Sequence, residues 1–187
     1  MSKAWPVPSL DADAPLAVNA RLILRVRVAE FYHYEPIVHD VHAGVLLHDM
    51  RISAKRLRYT LELFAEVFGK PGMKQIARVK EIQEILGEIH DADVRIDLIE
   101  DEMVKLAAKQ MRELSERLKI EPVERHHALL TSSLRPPPDD PRRGLMALLG
   151  RQHQIRSAHY VRFVQRWDAL SAEGMRVDLV TLSASPR

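Results

Sequence analysis

The sequence predicts an all-α protein, an antiparallel bundle of four to five long helices. Its apolar residues recur at spacings of three and four over long stretches, which is the pattern of amphipathic helices. No period-2 alternation is long enough to predict a strand. Short breaks rich in glycine or proline separate the helical stretches, so successive helices should pack antiparallel.

Length and composition predict one domain. The chain has 187 residues, 46% hydrophobic and 29% charged, which is enough for one self-sufficient core. We expect an irregular lead at 1–14, a helical domain over 15–174 and a tail at 175–187. The absence of cysteine excludes disulfides, thiolate metal sites and cysteine nucleophiles. No export signal or membrane span is recognisable, so we expect a cytoplasmic protein with no membrane partner.

The first two helices are predicted from apolar spacing and from proline and glycine. Pro15 suits the first turn of a helix that continues to Tyr32. Pro36 then marks a break. The second helix is predicted over 37–68 and ends at Gly69.

Three further elements complete the predicted bundle. A third helix is predicted over 73–90, and a fourth over 91–118 with Asp91 as its N-cap. The stretch 121–144 contains a triple proline and many turn residues, so it is predicted to be a loop. A last helix is predicted over 145–172.

The second helix carries a row of cations. At about 100° per residue, His48, Arg51, Lys55 and Arg58 fall within about 80° of one another, away from the apolar face. Like charges at this spacing destabilise a helix by a few tenths of a kcal/mol per pair, a term that a bound polyanion reverses. Arginine binds phosphate oxygens bidentately and lysine acts as a point charge. The row therefore favours a phosphate-bearing ligand.

A solvated or ion-paired face is the alternative interpretation of the same row. The third helix offers possible acidic partners at helical spacing, namely Glu81, Glu84, Glu88 and Asp91. The last helix argues against complete neutralisation, because residues 142–167 contain six arginines and no acid. Its basic stripe consists of Arg151, His159, Arg162 and Arg166. With Arg21 and Arg25 on the first helix, three basic helix faces predict a lined groove.

Two sequence blocks resemble the CHAD domain family. The first is His48-x-x-Arg51-x-x-x-Lys55-Arg56-Leu57-Arg58-Tyr59, and the second, residues 82–94, is similar to that family's "LQ-x-x-LG-x-x-x-D" helix. The resemblance covers about residues 16–118. It implies an all-helical domain that binds inorganic polyphosphate through basic residues in a groove, often at polyphosphate granules. The family's basic positions carry over to His48, Arg51, Lys55, Arg56 and Arg58.

Charge and helical phase add further candidate ligands beside that resemblance. They are Arg21, Arg25, Arg151, Arg156, Arg162 and Arg166. Gly87 is expected to let helices approach closely, and Asp91 either caps its helix or orients an arginine. The resemblance also implies two similar halves, each with a basic helix, whereas this sequence has one clear copy. We therefore hypothesise a homodimer that supplies the second basic helix.

An enzyme is the first alternative function. Residues 46–49 also resemble the "LLHD" motif of HD-type metal-dependent phosphohydrolases, in which histidines and aspartates converge on metal ions. Here Asp49 lies about 100° from His48 on the helix, and Arg51 and Lys55 place cations where a metal would bind. We expect no catalytic residue, no metal ligand and no cofactor.

A nonspecific nucleic-acid-binding protein is the second alternative, because phosphate contacts alone can hold DNA or RNA. The sequence has no RNA-recognition signature and no aromatic platform for stacking bases. These observations favour polyphosphate as the partner.

Overall fold

The computed structural model of the protein describes residues 3–133 and 140–184. Within these residues the chain forms six α-helices and no strand, which confirms the all-α prediction. None of these helices is both long and apolar enough to cross a membrane. The helices are α1 (Leu16–Tyr32), α2 (Gly44–Leu63), α3 (Ala65–Ile120), α4 (Val123–Ser133), α5 (Pro141–Ala172) and α6 (Met175–Ser183).

The chain divides into two compact units. The first comprises residues 1–91 and 156–187, and the second comprises 92–155. The helices α3 and α5 each contribute to both units. A single domain over 15–174 stays a prediction.

The core belongs to the first unit and follows the predicted apolar spacing. Each long helix contributes residues three or four apart, as expected for faces buried against one another. Burying one such large side chain contributes about 1.5–3 kcal/mol. Fully or nearly fully buried members include Leu24 and Phe31 of α1, Met50, Leu57 and Leu61 of α2, Ile82, Leu86 and Ile89 of α3, Phe163 and Leu170 of α5, and Met175 and Leu179 of α6.

The first helix and the break after it follow the prediction. α1 begins after Pro15 and ends at Tyr32, and Pro36 lies in a short 3-10 turn. α2 is shorter than predicted at both ends, Gly44–Leu63 instead of 37–68. Before it, the backbone N–H of His42 donates to the Asp40 carboxylate (2.9 Å), a local bond that competes with the helix.

A turn stabilised by two glycines interrupts α3 near its start. Gly69 adopts φ +54° and ψ −148°, a backbone conformation that favours glycine. A Cβ added to Gly72 would lie 2.5 Å from the Cβ of Phe68, so no side chain fits there. The break predicted at Gly69 is therefore present, although α2 has already ended before it.

α3 continues through Asp91, so the predicted division into two helices and the predicted N-cap are wrong. Asp91 is exposed on the surface of a continuous helix. The apolar spacing persists on both sides of it, and Ile89, Ala92 and Ile96 are all buried. An exposed aspartate inside a helix costs little when the opposite face packs.

Two segments predicted to lack helices are helical. α4 occupies 123–133, and α5 begins at Pro141, so the predicted loop over 121–144 is wrong in those parts. The triple proline lies outside the described residues. The predicted tail contains α6, which buries Met175 and Leu179 in the core. Gly174, at φ +78°, makes the turn from α5 into α6.

Candidate functional site

α2 has two faces, and the core fixes their orientation. Its apolar face is formed by Met50, Ala54, Leu57 and Leu61, which have 0% exposure. The other face carries the four cations predicted from helical phase, which we call the α2 row: His48, Arg51, Lys55 and Arg58. Because the core holds one face, the cationic face of α2 is held outward from it.

The Tyr59 ring contacts two cations at the C-terminal end of the α2 row. The Arg58 guanidinium carbon lies 4.9 Å and the Lys55 Nζ 5.7 Å from the centre of the Tyr59 ring. A cation over an aromatic face is attracted by the ring quadrupole. Beyond it, Glu62 lies 3.5 Å from Arg58 Nη1 and ends the row. Helical spacing does not predict that one ring contacts two cations.

Two guanidinium groups of the α2 row have unmet hydrogen-bonding capacity. The Nε–H groups of Arg51 and Arg58 are buried and have no hydrogen-bond partner among the described residues. Buried donors without acceptors are rare in folded proteins, since each costs part of its hydration energy. Each of these two guanidinium groups therefore keeps a donor that no described residue satisfies.

His90 of α3 is a neighbour of the α2 row that the sequence did not single out. The Nδ1 atoms of His48 and His90 are 3.2 Å apart, and the ring centres are 4.3 Å apart. One ring donates and the other accepts when both are neutral. Partial burial lowers the pKa of His48, and His90 and Arg51 lower it further against the opposing effect of Asp49.

Gly87 and His90 of α3 contact the α2 row, and neither is an acid. Gly87 lies beside Arg51, and a Cβ there would be 3.5 Å from Arg51 Nε, an ordinary contact distance. With the contact between His48 and His90, this sets an antiparallel alignment in which 48 faces 90 and 51 faces 87. Gly87 thus leaves room for a guanidinium group, which differs from the predicted close approach of helix backbones.

Glu81 and Glu88 of α3 pair with α5 instead. Glu81 binds Arg166 (2.6 Å), and Glu88 binds both Arg162 and His159, the latter at 3.2 Å. We call His159, Arg162 and Arg166 the α5 row. On α3 these two glutamates lie on a different side from Gly87 and His90, because positions 81 and 88 are about 120° and 100° from 87 around the helix. The α5 row is therefore ion-paired within the fold.

Arg56 does not belong to the α2 row. Its Nη1 lies 2.5 Å from Oε1 of Glu30, whose other oxygen is 2.5 Å from Arg27. Glu30 is completely buried, so its charge requires these partners. The predicted polyphosphate ligand Arg56 thus neutralises a buried carboxylate between α1 and α2.

The remaining predicted ligands lie elsewhere. Arg21 donates to the Ala17 carbonyl (2.9 Å), and Arg25 lies 3.5 Å from the Ser183 carbonyl of α6. Arg156 lies one turn before Tyr160 in α5. Arg151 belongs to the second unit, so its part in a common groove stays a prediction.

The sequence repeats the His-Asp dipeptide at 39–40, 48–49 and 90–91, and these residues do not form a metal site among the described residues. No group of three or more histidine, aspartate or glutamate side chains there could hold a metal ion. His39 instead lies 3.4 Å from Asp168, and His48 contacts His90. The pairing of these histidines reflects helix packing.

The comparisons with known proteins identify the family. Searches of curated proteins and of solved structures found no match. The family model described as the CHAD domain matches residues 3–100, which is more than half of the chain. That span contains α1, α2, the whole α2 row, Gly87 and His90. The chain belongs to the CHAD domain family.

Proposed function

We propose that the protein binds inorganic polyphosphate without catalysis, through the α2 row. One observation carries this proposal: the Nε–H groups of Arg51 and Arg58 have no hydrogen-bond partner among the described residues, while Glu81 and Glu88 of α3 pair with α5. The association of the CHAD family with polyphosphate supports it. Each charge-assisted hydrogen bond to a phosphate oxygen contributes about 1.5–3 kcal/mol.

The side chains beside the row favour a polymer without bases. The Tyr59 ring is contacted by Lys55 and Arg58 and packs against no second aromatic ring among the described residues, so it does not form a platform for stacked nucleobases. His48 and His90 pack against each other. A linear chain of phosphates needs only the cations, spaced one helical turn apart along α2.

The central experiment compares polyphosphate binding by the wild type and by Arg51→Gln/Lys55→Gln. We expect the variant to bind about a hundredfold more weakly, because two charged contacts are lost. Its salt dependence should also flatten, by about 0.7 in the log–log slope for each lost contact. Circular dichroism and urea unfolding establish that the variant is folded.

Lys105→Gln/Lys109→Gln is the matched control, since it removes the same charge from an exposed part of α3. These lysines form only surface pairs with Glu102 and Glu113. We expect it to bind polyphosphate like the wild type. An equal loss in both variants would show that net charge, and not the α2 row, determines binding.

RNA and DNA of matched charge test the nucleic-acid alternative. We expect polyphosphate to bind more tightly than either, because the row offers phosphate contacts and no base contact. Equal affinity for RNA would favour a nonspecific nucleic-acid-binding protein. A phosphate-release assay with added Mg²⁺ or Mn²⁺ tests the enzyme alternative, which predicts metal-dependent hydrolysis that is lost in Asp49→Asn.

We further propose a homodimer that supplies a second α2 row. Support for it comes from the family resemblance, which implies two basic helices where this chain has one clear copy. A twofold axis would place the second α2 row in the partner copy. A solution mass measured with and without polyphosphate tests this, and a monomer under both conditions would refute it.

Association with polyphosphate granules is the corresponding proposal for the cell. A fluorescent fusion of the full chain should coincide with stained granules, and the Arg51→Gln/Lys55→Gln fusion should not. A diffuse wild-type signal in granule-containing cells would contradict it.

A further inference from the structure

A second cationic site lies away from the α2 row. A cleft of about 810 Å³ is bordered by α1, the start of α3 and α6. Small-molecule sites commonly measure about 300–1,000 Å³. The α6 wall lies outside the span that matches the CHAD domain. This site is therefore a feature of the chain that the polyphosphate proposal does not use.

The cleft has an excess of positive charge. Its charged lining consists of Arg21, Lys70 and Lys74 against a single acid, Asp178. One oxygen of Asp178 accepts from Arg78 at 2.9 Å and lies 3.4 Å from Lys74. Within the described part of the chain, Lys70 has no acidic partner. The only acid of the wall is thus already engaged, and the cations can meet an added anion.

Arg78 holds the only acid of the described cleft lining, Asp178, in place. It is buried, and its second nitrogen binds Glu173 at 2.8 Å. Because Arg78 binds both Glu173 and Asp178, it holds the Asp178 carboxylate in the wall. This pairing and the nearby Lys74 help to lower the pKa of Asp178, although desolvation opposes them.

A buried amide in the cleft wall has an unused acceptor. Gln75 is 2% exposed and lines the cleft. Its Nε2 lies 3.3 Å from Asp178, which fixes the orientation of the amide, and its Oε1 has no hydrogen-bond partner among the described residues. A ligand with an N–H or O–H group could supply the missing donor.

The remaining lining is apolar. Pro71, Leu182 and Ala184 line the cleft together with the hydroxyl-bearing Thr181. The glycine-dependent turn at Gly69 and Gly72 fixes the backbone on both sides of Lys70 and Pro71. The cleft thus combines a cationic rim, an apolar wall and one buried acceptor.

We propose that this cleft binds a small organic phosphate of the nucleoside diphosphate class. The three cations match two to three negative charges, the apolar wall suits an organic body, and Gln75 Oε1 accepts from an amine or hydroxyl. Inorganic phosphates share only the charge. The inference is independent of polyphosphate binding at the α2 row.

Calorimetric titration of the full chain with ADP tests the proposal. The wild type should bind ADP, and Lys70→Gln/Lys74→Gln should bind it about a hundredfold more weakly, because two charged contacts are lost. The control Lys105→Gln/Lys109→Gln should bind like the wild type. Both lysines of the cleft variant are on the surface, and circular dichroism checks its fold.

Two further arms separate this site from the α2 row. Arg51→Gln/Lys55→Gln should bind ADP like the wild type, and pyrophosphate should bind the wild type more weakly than ADP does. The proposal is overturned if wild-type protein does not bind ADP, if Lys70→Gln/Lys74→Gln binds it undiminished, or if pyrophosphate binds equally well. A loss of ADP binding in Arg51→Gln/Lys55→Gln would also overturn it, by placing the ligand at the row.

Discussion

The basic rows of α2 and α5 arise from the same sequence pattern, cations three or four residues apart on one side of a helix. In the fold they differ in their neighbour. The α5 row meets Glu81 and Glu88 of α3, whereas the α2 row meets Gly87 and His90 of the same helix. One row is neutralised, and the other keeps unpaired donors. Cation spacing alone therefore does not predict an anion site; the opposing helix face decides.

The largest expected effect is a loss of stability in Arg56→Gln, because Arg56 lies on α2 but supports the fold and not the α2 row. Arg56→Gln leaves the buried Glu30 with Arg27 alone. We expect it to lower the free energy of unfolding by about 3 kcal/mol, since breaking a buried ion pair leaves a charge only partly compensated. Urea unfolding measures the loss. Folded Arg56→Gln protein should bind polyphosphate like the wild type. If the fully folded variant binds more weakly, Arg56 is a polyphosphate ligand after all.

Removing the acidic partners of the α5 row tests whether ion pairing is what distinguishes it from the α2 row. Glu81→Gln/Glu88→Gln removes the carboxylates that hold Arg162 and Arg166. We expect polyphosphate affinity to increase by about tenfold, or ~1.4 kcal/mol, because a second row becomes available. Stability should fall by less than about 1 kcal/mol for each exposed pair. Polyphosphate titration and urea unfolding measure the two effects.

The matched control for that variant is Glu113→Gln/Glu116→Gln, which makes the same charge change on exposed positions of α3. It should leave the affinity close to that of the wild type. An equal gain in both would show that the overall charge, and not the release of two arginines, strengthens binding.

Gly87 provides a smaller test of the contact beside Arg51. Gly87→Ala should stabilise the protein by up to about 1 kcal/mol, because alanine favours the helix and its Cβ meets only an ordinary contact. Polyphosphate affinity should not change. Gly87→Leu should instead displace the Arg51 guanidinium and weaken binding. Thermal unfolding and polyphosphate titration check both, and unchanged binding in Gly87→Leu would contradict the role assigned to Arg51.

The smallest effect concerns pH. The pKa of His48 is lower in the folded protein than in the unfolded chain. As pH falls, the unfolded chain therefore takes up the proton at a higher pH than the folded protein does. The free energy of unfolding decreases as pH falls from about 6.5 to the lowered pKa. A polyanion favours the protonated ring, so polyphosphate affinity should increase modestly over the same range. Titrations at about pH 7.5 and about pH 5.5 measure this change. His48→Gln should reduce this change in affinity, and an identical change in His48→Gln would show that His48 is not its source.

The parts of the fold that the sequence predicts are those where local pattern and packing agree. α1 and the apolar face of α2 follow directly from spacing and from Pro15. The division at Asp91 failed because aspartate suits both a cap and an exposed helix position, and only packing distinguishes them. α6 was missed because it is a short helix, held by the core through Met175 and Leu179.

The candidate site shows the same limit. Helical phase placed His48, Arg51, Lys55 and Arg58 on one face, and the structure agrees. It could not reveal that Arg56 compensates Glu30, or that the glutamates of α3 turn toward α5. Such pairings depend on the rotation of one helix against another, which single-helix periodicity does not contain.

The unequal rows also determine how the protein could act on a long polymer. If the α2 row binds polyphosphate as proposed, a monomer has one binding row, so many monomers would bind side by side along one polymer. Two open rows on one particle, from a dimer or from the Glu81→Gln/Glu88→Gln variant, could link separate polymers into a condensed network. Glu81 and Glu88 of α3 would thereby determine how many rows of one molecule can bind polyphosphate, and so whether the protein coats one polymer or links several.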